Sequence, residues 1–226
     1  MNVIITGAVA VGKTHTQEQI IYHLNETVGD KCVLYPDFVY NDSLANELVV
    51  KRFAHDINRI SPLTFQNYIM DKWEYYAKLN PFDESKFNIF ERLPEDAVEI
   101  FAKLSLNELE YQTQVIRLEN IKKILPISYY TMNKDDTVWI TYNNNWITGH
   151  DNINRLFEVL DDIITKGKVK NIIIEIRSDT AYKNCQIRNR KGEEHYTKDD
   201  IETLVEVYNT YMNSILNNIH CKQYIL

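Results

Sequence analysis

Gly7 to Thr14 read Gly-Ala-Val-Ala-Val-Gly-Lys-Thr, a glycine and four residues followed by Gly-Lys-Thr. Those types at that spacing suit one chemistry, the holding of a nucleoside triphosphate by its phosphates. The backbone N–H groups of Ala8, Val9, Ala10 and Val11 form a cradle for the β-phosphate. Gly7 and Gly12 stand where a Cβ would obstruct the turn or the close approach. Lys13 supplies a point charge to the β/γ-phosphates, and the Thr14 hydroxyl supplies a ligand for Mg²⁺. A tight strand-to-helix turn with no nucleotide is the plainer alternative. The loop says nothing about an acceptor.

Four further groups of residues carry candidate chemistry. Asp37, in Pro36-Asp37-Phe38-Val39, closes an apolar run and would lie beside the phosphate loop in a parallel sheet; its plain reading is a turn or cap. Glu91-Arg92 closes the run Phe87-Asn88-Ile89-Phe90. Glu91 suits holding Mg²⁺ through water and Arg92 suits neutralising a transferring phosphoryl group, unless the two form a surface ion pair. Gln66, Ile69 and Trp73 share one helical face. A carboxamide with two large apolar groups fits the edge and faces of a nucleobase, and equally a core stripe with Gln66 at its solvated end. Lys183, Arg188, Arg190 and Lys191, followed by Glu193, read as a solvated helix face or as a lid over 183–196 that closes on ATP.

The elements that must position these groups follow from the apolar patterning. Val3-Ile4-Ile5 is a strand buried on both faces, and Ile20, Ile21 and Leu24 mark the helix behind the loop. Cys32–Tyr35, Phe87–Phe90, Asn171–Ile176 and Gln223–Leu226 read as the remaining four strands. Helices are expected over 43–57, from Thr64 onward, over 95–104 (with Ala97 and Phe101 in its first two turns), through most of 105–126, and over 154–165, 181–192 and 197–216. Thr137 to Thr148 reads as two short β runs around an Asn-rich turn. The expected fold is α/β, a single domain over 1–226 with a five-stranded parallel sheet flanked by helices and a short helical lid.

The composition excludes several classes. At 226 residues, 44% hydrophobic and with only six Gly and five Pro, the chain suits a compact fold. A net charge of −7 argues against a general nucleic-acid binder. The three cysteines, Cys32, Cys185 and Cys221, suggest neither a disulfide framework nor a zinc site. No apolar run reaches transmembrane length and the chain opens in its first strand, so no membrane association and a cytoplasmic protein are expected.

Taken together, these residues resemble the deoxynucleoside kinase family, as separated motifs in the family's order over nearly the whole chain. In that family a strand ends in Glu-Pro-Val, whose Glu is the general base for the nucleoside 5′-hydroxyl. Pro36-Asp37-Phe38-Val39 takes that place, so the resemblance implies Asp37 as the base, one methylene shorter. Thr64-Phe65-Gln66 matches the family's Thr-Phe-Gln, implying that Gln66 pairs with the base. Glu91-Arg92 matches Glu-Arg-Ser, with Leu93 departing from Ser. Counting on from Glu91, Ala97 falls where thymidine-accepting members have Ala and deoxycytidine-selective members have Asp. Trp73 replaces an Arg of the latter, and Phe101 would stack the base opposite Ile69. Arg188-Asn189-Arg190-Lys191-Gly192-Glu193 resembles the lid motif, implying Arg188 and Arg190 on ATP and Glu193 on the sugar 3′-hydroxyl. Asn184 stands where an earlier lid Arg is usual. His55, eleven residues before Gln66, stands where a sugar-contacting Tyr is usual.

The resemblance implies phosphoryl transfer from ATP, with Mg²⁺ held by Thr14 and Glu91, to the 5′-hydroxyl of a pyrimidine deoxynucleoside. Thymidine comes first and deoxycytidine second, and a homodimer is implied. Two alternatives stay open. A nucleoside monophosphate kinase would need a further cation near Gln66, where the sequence offers only Arg59 and Lys72. A nucleotide-binding regulatory protein would need neither the Gln66 face nor the charged lid.

Overall fold

The architecture comes from a computed structural model. It describes all residues except 1, 8–9, 11, 30, 38–41, 54–58, 81, 84, 127–136, 144–153, 155, 159, 163–164, 166–169, 176–177, 190–192, 194–195, 217–221 and 226; side chains of 137–143, 170–180 and 222–225 are likewise left aside. Strands β1 (Asn2–Thr6), β2 (Cys32–Tyr35), β3 (Phe87–Glu91), β4 (Thr137–Asn143), β5 (Lys170–Glu175) and β6 (Lys222–Ile225) form one sheet in the order β2-β3-β1-β4-β5-β6. Every pairing is parallel; Ile4 sits opposite Phe90 on one side and Trp139 on the other.

The expected count of five strands is corrected to six among the described residues. Thr137–Asn143 is one parallel strand, paired with β1 over Thr137–Thr141 and with β5 over Val138–Asn143; the turn and second short run expected after it, up to Thr148, lie outside the described residues. Its Thr-Val-Trp-Ile-Thr-Tyr segment is β-branched and aromatic throughout, which suits an interior strand.

Period-two alternation in β1 feeds two cores. Val3 and Ile5 face Ile20 and Leu24 of α1 (Lys13–Val28) together with Ile201, Val205 and Tyr208. Ile4 faces the other layer, with Tyr35, Phe90, and Met70, Trp73 and Ala77 of α3 (Pro62–Leu79). All three β1 residues are fully buried, as a strand covered on both faces requires. Tyr35 stacks on Phe90 at 4.2 Å and donates its hydroxyl to the Asn80 carbonyl at 2.8 Å, which pins the end of β2 against the end of α3.

Further helices are α2 (Ser43–Phe53), α4 (Lys103–Ser105), α5 (Glu108–Lys122), α6 (Ser178–Arg188) and α7 (Lys198–Leu216), and the described residues of the helix expected over 154–165 are helical too. Ser61 caps α3 by accepting from the Thr64 N–H, with Pro62 at the first helical position. Asn107 and Glu110 form a reciprocal capping box on α5, which interrupts the helicity expected from 105 onward. Asp96–Ala102 is a π-helix, not the α-helix expected there, and it runs into α4. Such segments concentrate at functional sites. The helix expected to reach Gly192 ends at Arg188.

Candidate active site

Because the sheet is parallel, β1, β2 and β3 deliver their carboxyl ends to one edge, beside the point where the chain crosses from β3 over β1 to β4. Gly7 to Thr14 follow β1, Pro36-Asp37 follows β2, and Glu91-Arg92 closes β3. A cavity of about 550 Å³ opens there, within the range of small-molecule sites.

Gly12 has φ 97°, and among the described residues no atom beyond its chain neighbours lies within 4 Å of the place a Cβ would take. The backbone conformation, not crowding, is what asks for glycine. Ala10 also lies in the left-handed region, with φ 59°, and its carbonyl accepts from Asn184 Nδ2 at 3.1 Å. Lys13 opens α1 and is 5% exposed. Burial pushes its ammonium down to about 7, with Arg92 adding repulsion, while Glu91 and Asp37 pull the other way. Thr14 donates to both oxygens of Glu91, at 2.9 and 3.2 Å. Burial, then the nearby Asp37 charge, raises the Glu91 carboxyl against the pull of Lys13.

Arg92 sits at the centre. Its Nη1 donates to Asp37 Oδ2 at 2.8 Å and its Nη2 to the Gly7 carbonyl at 3.3 Å. The guanidinium lies over the rings of Phe101 and Tyr208, at 5.3 and 5.8 Å. Burial alone would weaken the cation, but Tyr208, Asp37, Glu91 and Asp96 keep it firmly charged. Among the described residues, Arg92 Nε and the Tyr208 hydroxyl are both buried without a hydrogen bond of ordinary geometry. Burial drives the Tyr208 phenol well up, and the guanidinium opposes that rise.

The far wall belongs to α3 and the π-helix. Gln66 is 2% exposed and donates through Nε2 to the Ala97 carbonyl at 2.8 Å, which fixes which way its amide faces. Ile69, Trp73, Ala97 and Phe101 line the same cavity. Arg188 and Glu193 line it too, but they hold each other: Arg188 Nε donates to Glu193 at 3.0 Å and Nη2 makes a second bond to the same carboxylate. The sequence expectation put Arg188 on ATP and Glu193 on the sugar; here the two form a bidentate pair.

The cavity thus gathers Ala10, Gly12, Lys13, Thr14, Asp37, Glu91, Arg92, Gln66, Ile69, Trp73, Ala97, Phe101, Arg188 and Glu193. Ala8, Val9, Val11, His55 and Arg190 lie outside the described residues. Sequence reasoning passed over Arg52, Asp96 and Tyr196, which line the same cavity, and Tyr208 behind it. Arg52 lies over the Phe65 ring at 5.6 Å, and nothing in α2 marks it out from other helical cations.

The described residues form a parallel-sheet α/β fold, and that fold is similar to the one seen in a solved nucleoside kinase. Among solved structures, the chain is similar to deoxyadenosine kinase from M. mycoides with bound dCTP. The TM-score is 0.54 at 14% identity, over 100% of this chain and 89% of that one. The same enzyme with the products dCMP and a flexible dCDP bound gives a TM-score of 0.54 at 13% identity, with the same coverage. No family model and no curated protein matches the sequence. Among the described residues, no helix is long and apolar enough to cross a membrane.

Proposed function

We propose that the chain is an ATP-dependent deoxynucleoside kinase, acting first on thymidine and second on deoxycytidine. The observation that carries this reading is a single cavity with two unlike ends. Lys13, Thr14 and Arg92 form an anion-holding end, and the tethered Gln66 carboxamide among Ile69, Trp73 and Phe101 forms a base-holding end. Asp37 stands at the anion-holding end, on Arg92.

In this reading Asp37 takes the proton from the nucleoside 5′-hydroxyl as its oxygen bonds to the γ-phosphorus and the bond to the β,γ-bridging oxygen breaks. The Arg92 ion pair keeps Asp37 ionised for that task and sets a cation where phosphoryl charge spreads. Residues 183–196 act as the lid, with Arg188 and Glu193 facing the cavity. The donor set suits Mg²⁺. Thr14 offers a hydroxyl and Glu91 a carboxylate, and no cluster of three or more His, Cys, Asp or Glu occurs among the described residues. Such a site fits an ion that keeps its waters and takes phosphate oxygens, and Mg²⁺ there would neutralise charge on the β- and γ-phosphates. Ala97 in place of an acid leaves room beside Gln66 for the 5-methyl of thymine, which supports the thymidine preference.

One observation favours a second reading. Arg52 puts a cation in the half of the cavity lined by Phe65 and Gln66, where a nucleoside monophosphate kinase would need one. Incubation with γ-labelled ATP and thymidine, deoxycytidine, deoxyadenosine, deoxyguanosine and dTMP separates the readings. Label in a nucleoside 5′-monophosphate is the result expected. Label only in dTDP would carry the monophosphate kinase instead, and phosphate release without any acceptor would leave a hydrolysing regulator.

A further inference from the structure

Asp96 is a fully buried carboxylate that no role above requires. Its Oδ1 accepts from the Thr6 hydroxyl at 2.8 Å and its Oδ2 from the Leu93 N–H at 2.7 Å. Thr6 is the last residue of β1, immediately before the phosphate loop, and Leu93 immediately follows Arg92. Between them the chain takes an unfavourable turn. Arg92 has φ 66°, a conformation side chains other than glycine seldom adopt, and its own N–H donates to the Ile5 carbonyl at 2.8 Å. The Asp96 N–H returns to the Leu93 carbonyl at 3.0 Å, closing the corner on itself.

The result is one rigid junction between the ends of two adjacent strands. From this turned backbone Arg92 reaches Asp37 with one nitrogen and the Gly7 carbonyl with another. A plain helix cap would account for the Leu93 contact. It would not account for the bond to Thr6, ninety residues away in sequence, nor for a buried negative charge whose field falls on Arg92. We infer that Asp96 is a positioning residue: by clasping Thr6 and Leu93 it holds the left-handed Arg92 corner in register with the phosphate loop and with Asp37.

The activity arm of the test rests on the kinase reading, so it starts with the wild-type protein. If that transfers no phosphate to any nucleoside, the kinase reading fails, and Asp96 is judged on the second arm alone. In the first arm Asp96→Asn keeps the shape and removes the charge and one acceptor. Turnover is expected to fall by on the order of ten- to a hundredfold, with KM for ATP and for nucleoside moving less than about threefold. Thr6→Val cuts the clasp from its other end and is expected to lower turnover about tenfold, while Thr6→Ser recovers most of that loss. Thr6→Val combined with Asp96→Asn is expected to be no worse than Asp96→Asn alone, because both open the same clasp. The second arm reads the Arg92 Nε–H resonance by NMR; Asp96→Asn and Thr6→Val should shift it alike, and Thr6→Ser should leave it near its wild-type place. Wild-type turnover in Asp96→Asn, additive losses in the double variant, or an Arg92 signal indifferent to Thr6→Val would each overturn the inference.

Discussion

Lys13 is the most direct electrostatic prediction, because its burial gives the site a proton to take up. In the free protein its ammonium titrates near 7, depressed first by burial and then by Arg92. A triphosphate beside it returns the missing counter-charge and raises that value again. The sign follows from linkage. A group whose pKa is higher in the bound state favours binding at low pH, and binding takes up protons above the free-state pKa. With a free-state value of about 7, roughly half a proton is taken up at pH 7 and about 0.9 at pH 8, against about 0.1 at pH 6. Apparent ATP affinity then falls about fivefold between pH 7 and 8, and about tenfold over the next unit. The assay is calorimetric titration with MgATP at pH 8, where the terminal phosphate is already ionised, in two buffers of different ionisation enthalpy. The slope of observed heat against buffer heat counts the protons. Lys13→Met should abolish that slope along with most of the affinity. A flat slope at pH 8, with affinity unchanged from pH 6.5 to 8.5, would refute the desolvated lysine and its place against the phosphates.

The other expectations follow from single contacts. Asp37→Ala should cut turnover by on the order of a hundredfold or more while ATP still binds, as steady-state kinetics and calorimetry would show; turnover near normal would remove Asp37 as the base. Gln66→Ala should raise KM for the nucleoside by about ten- to a hundredfold with KM for ATP unmoved. It also strips the Ala97 carbonyl of a partner and should cost about 1–2 kcal/mol on denaturant unfolding. Gly12→Ala meets no steric obstacle among the described residues but forces a Cβ into φ 97°. That costs about 1–2 kcal/mol, or roughly 2–8 °C in Tm by calorimetry, and it should weaken ATP binding as well.

Groups placed by a fixed local spacing or by the parallel sheet itself were legible; side-chain contacts made by packing across the sequence were not. The phosphate loop, β1 and α1 could be read because a fixed spacing of types carries the chemistry and an apolar run carries the strand. Asp37 and Glu91-Arg92 were placed correctly at strand ends because a parallel sheet brings those ends together whatever the loops do. The Gln66 bond to the Ala97 carbonyl joins residues 31 apart and has no local signature. The π-helix over Asp96–Ala102 escaped because no residue type selects that register, so the segment looked like an ordinary helix. Arg52 and Asp96 were invisible as site residues for the same reason. Each looks like one more surface charge until packing turns it inward. The sixth strand was not counted because Asn143 to Asn145 look like a turn closing a short run, whereas pairing with β5 carries β4 through Asn143.

A single ligand that spans both ends of the cavity tests the central claim, that triphosphate and nucleoside are held face to face in one space. Adenosine and thymidine joined 5′ to 5′ through a chain of phosphates supplies both halves at once. The account predicts competition with ATP and with thymidine alike, and a Kd about a hundredfold or more below that of either half alone. Competition with ATP only, and no gain from the attached thymidine, would contradict it.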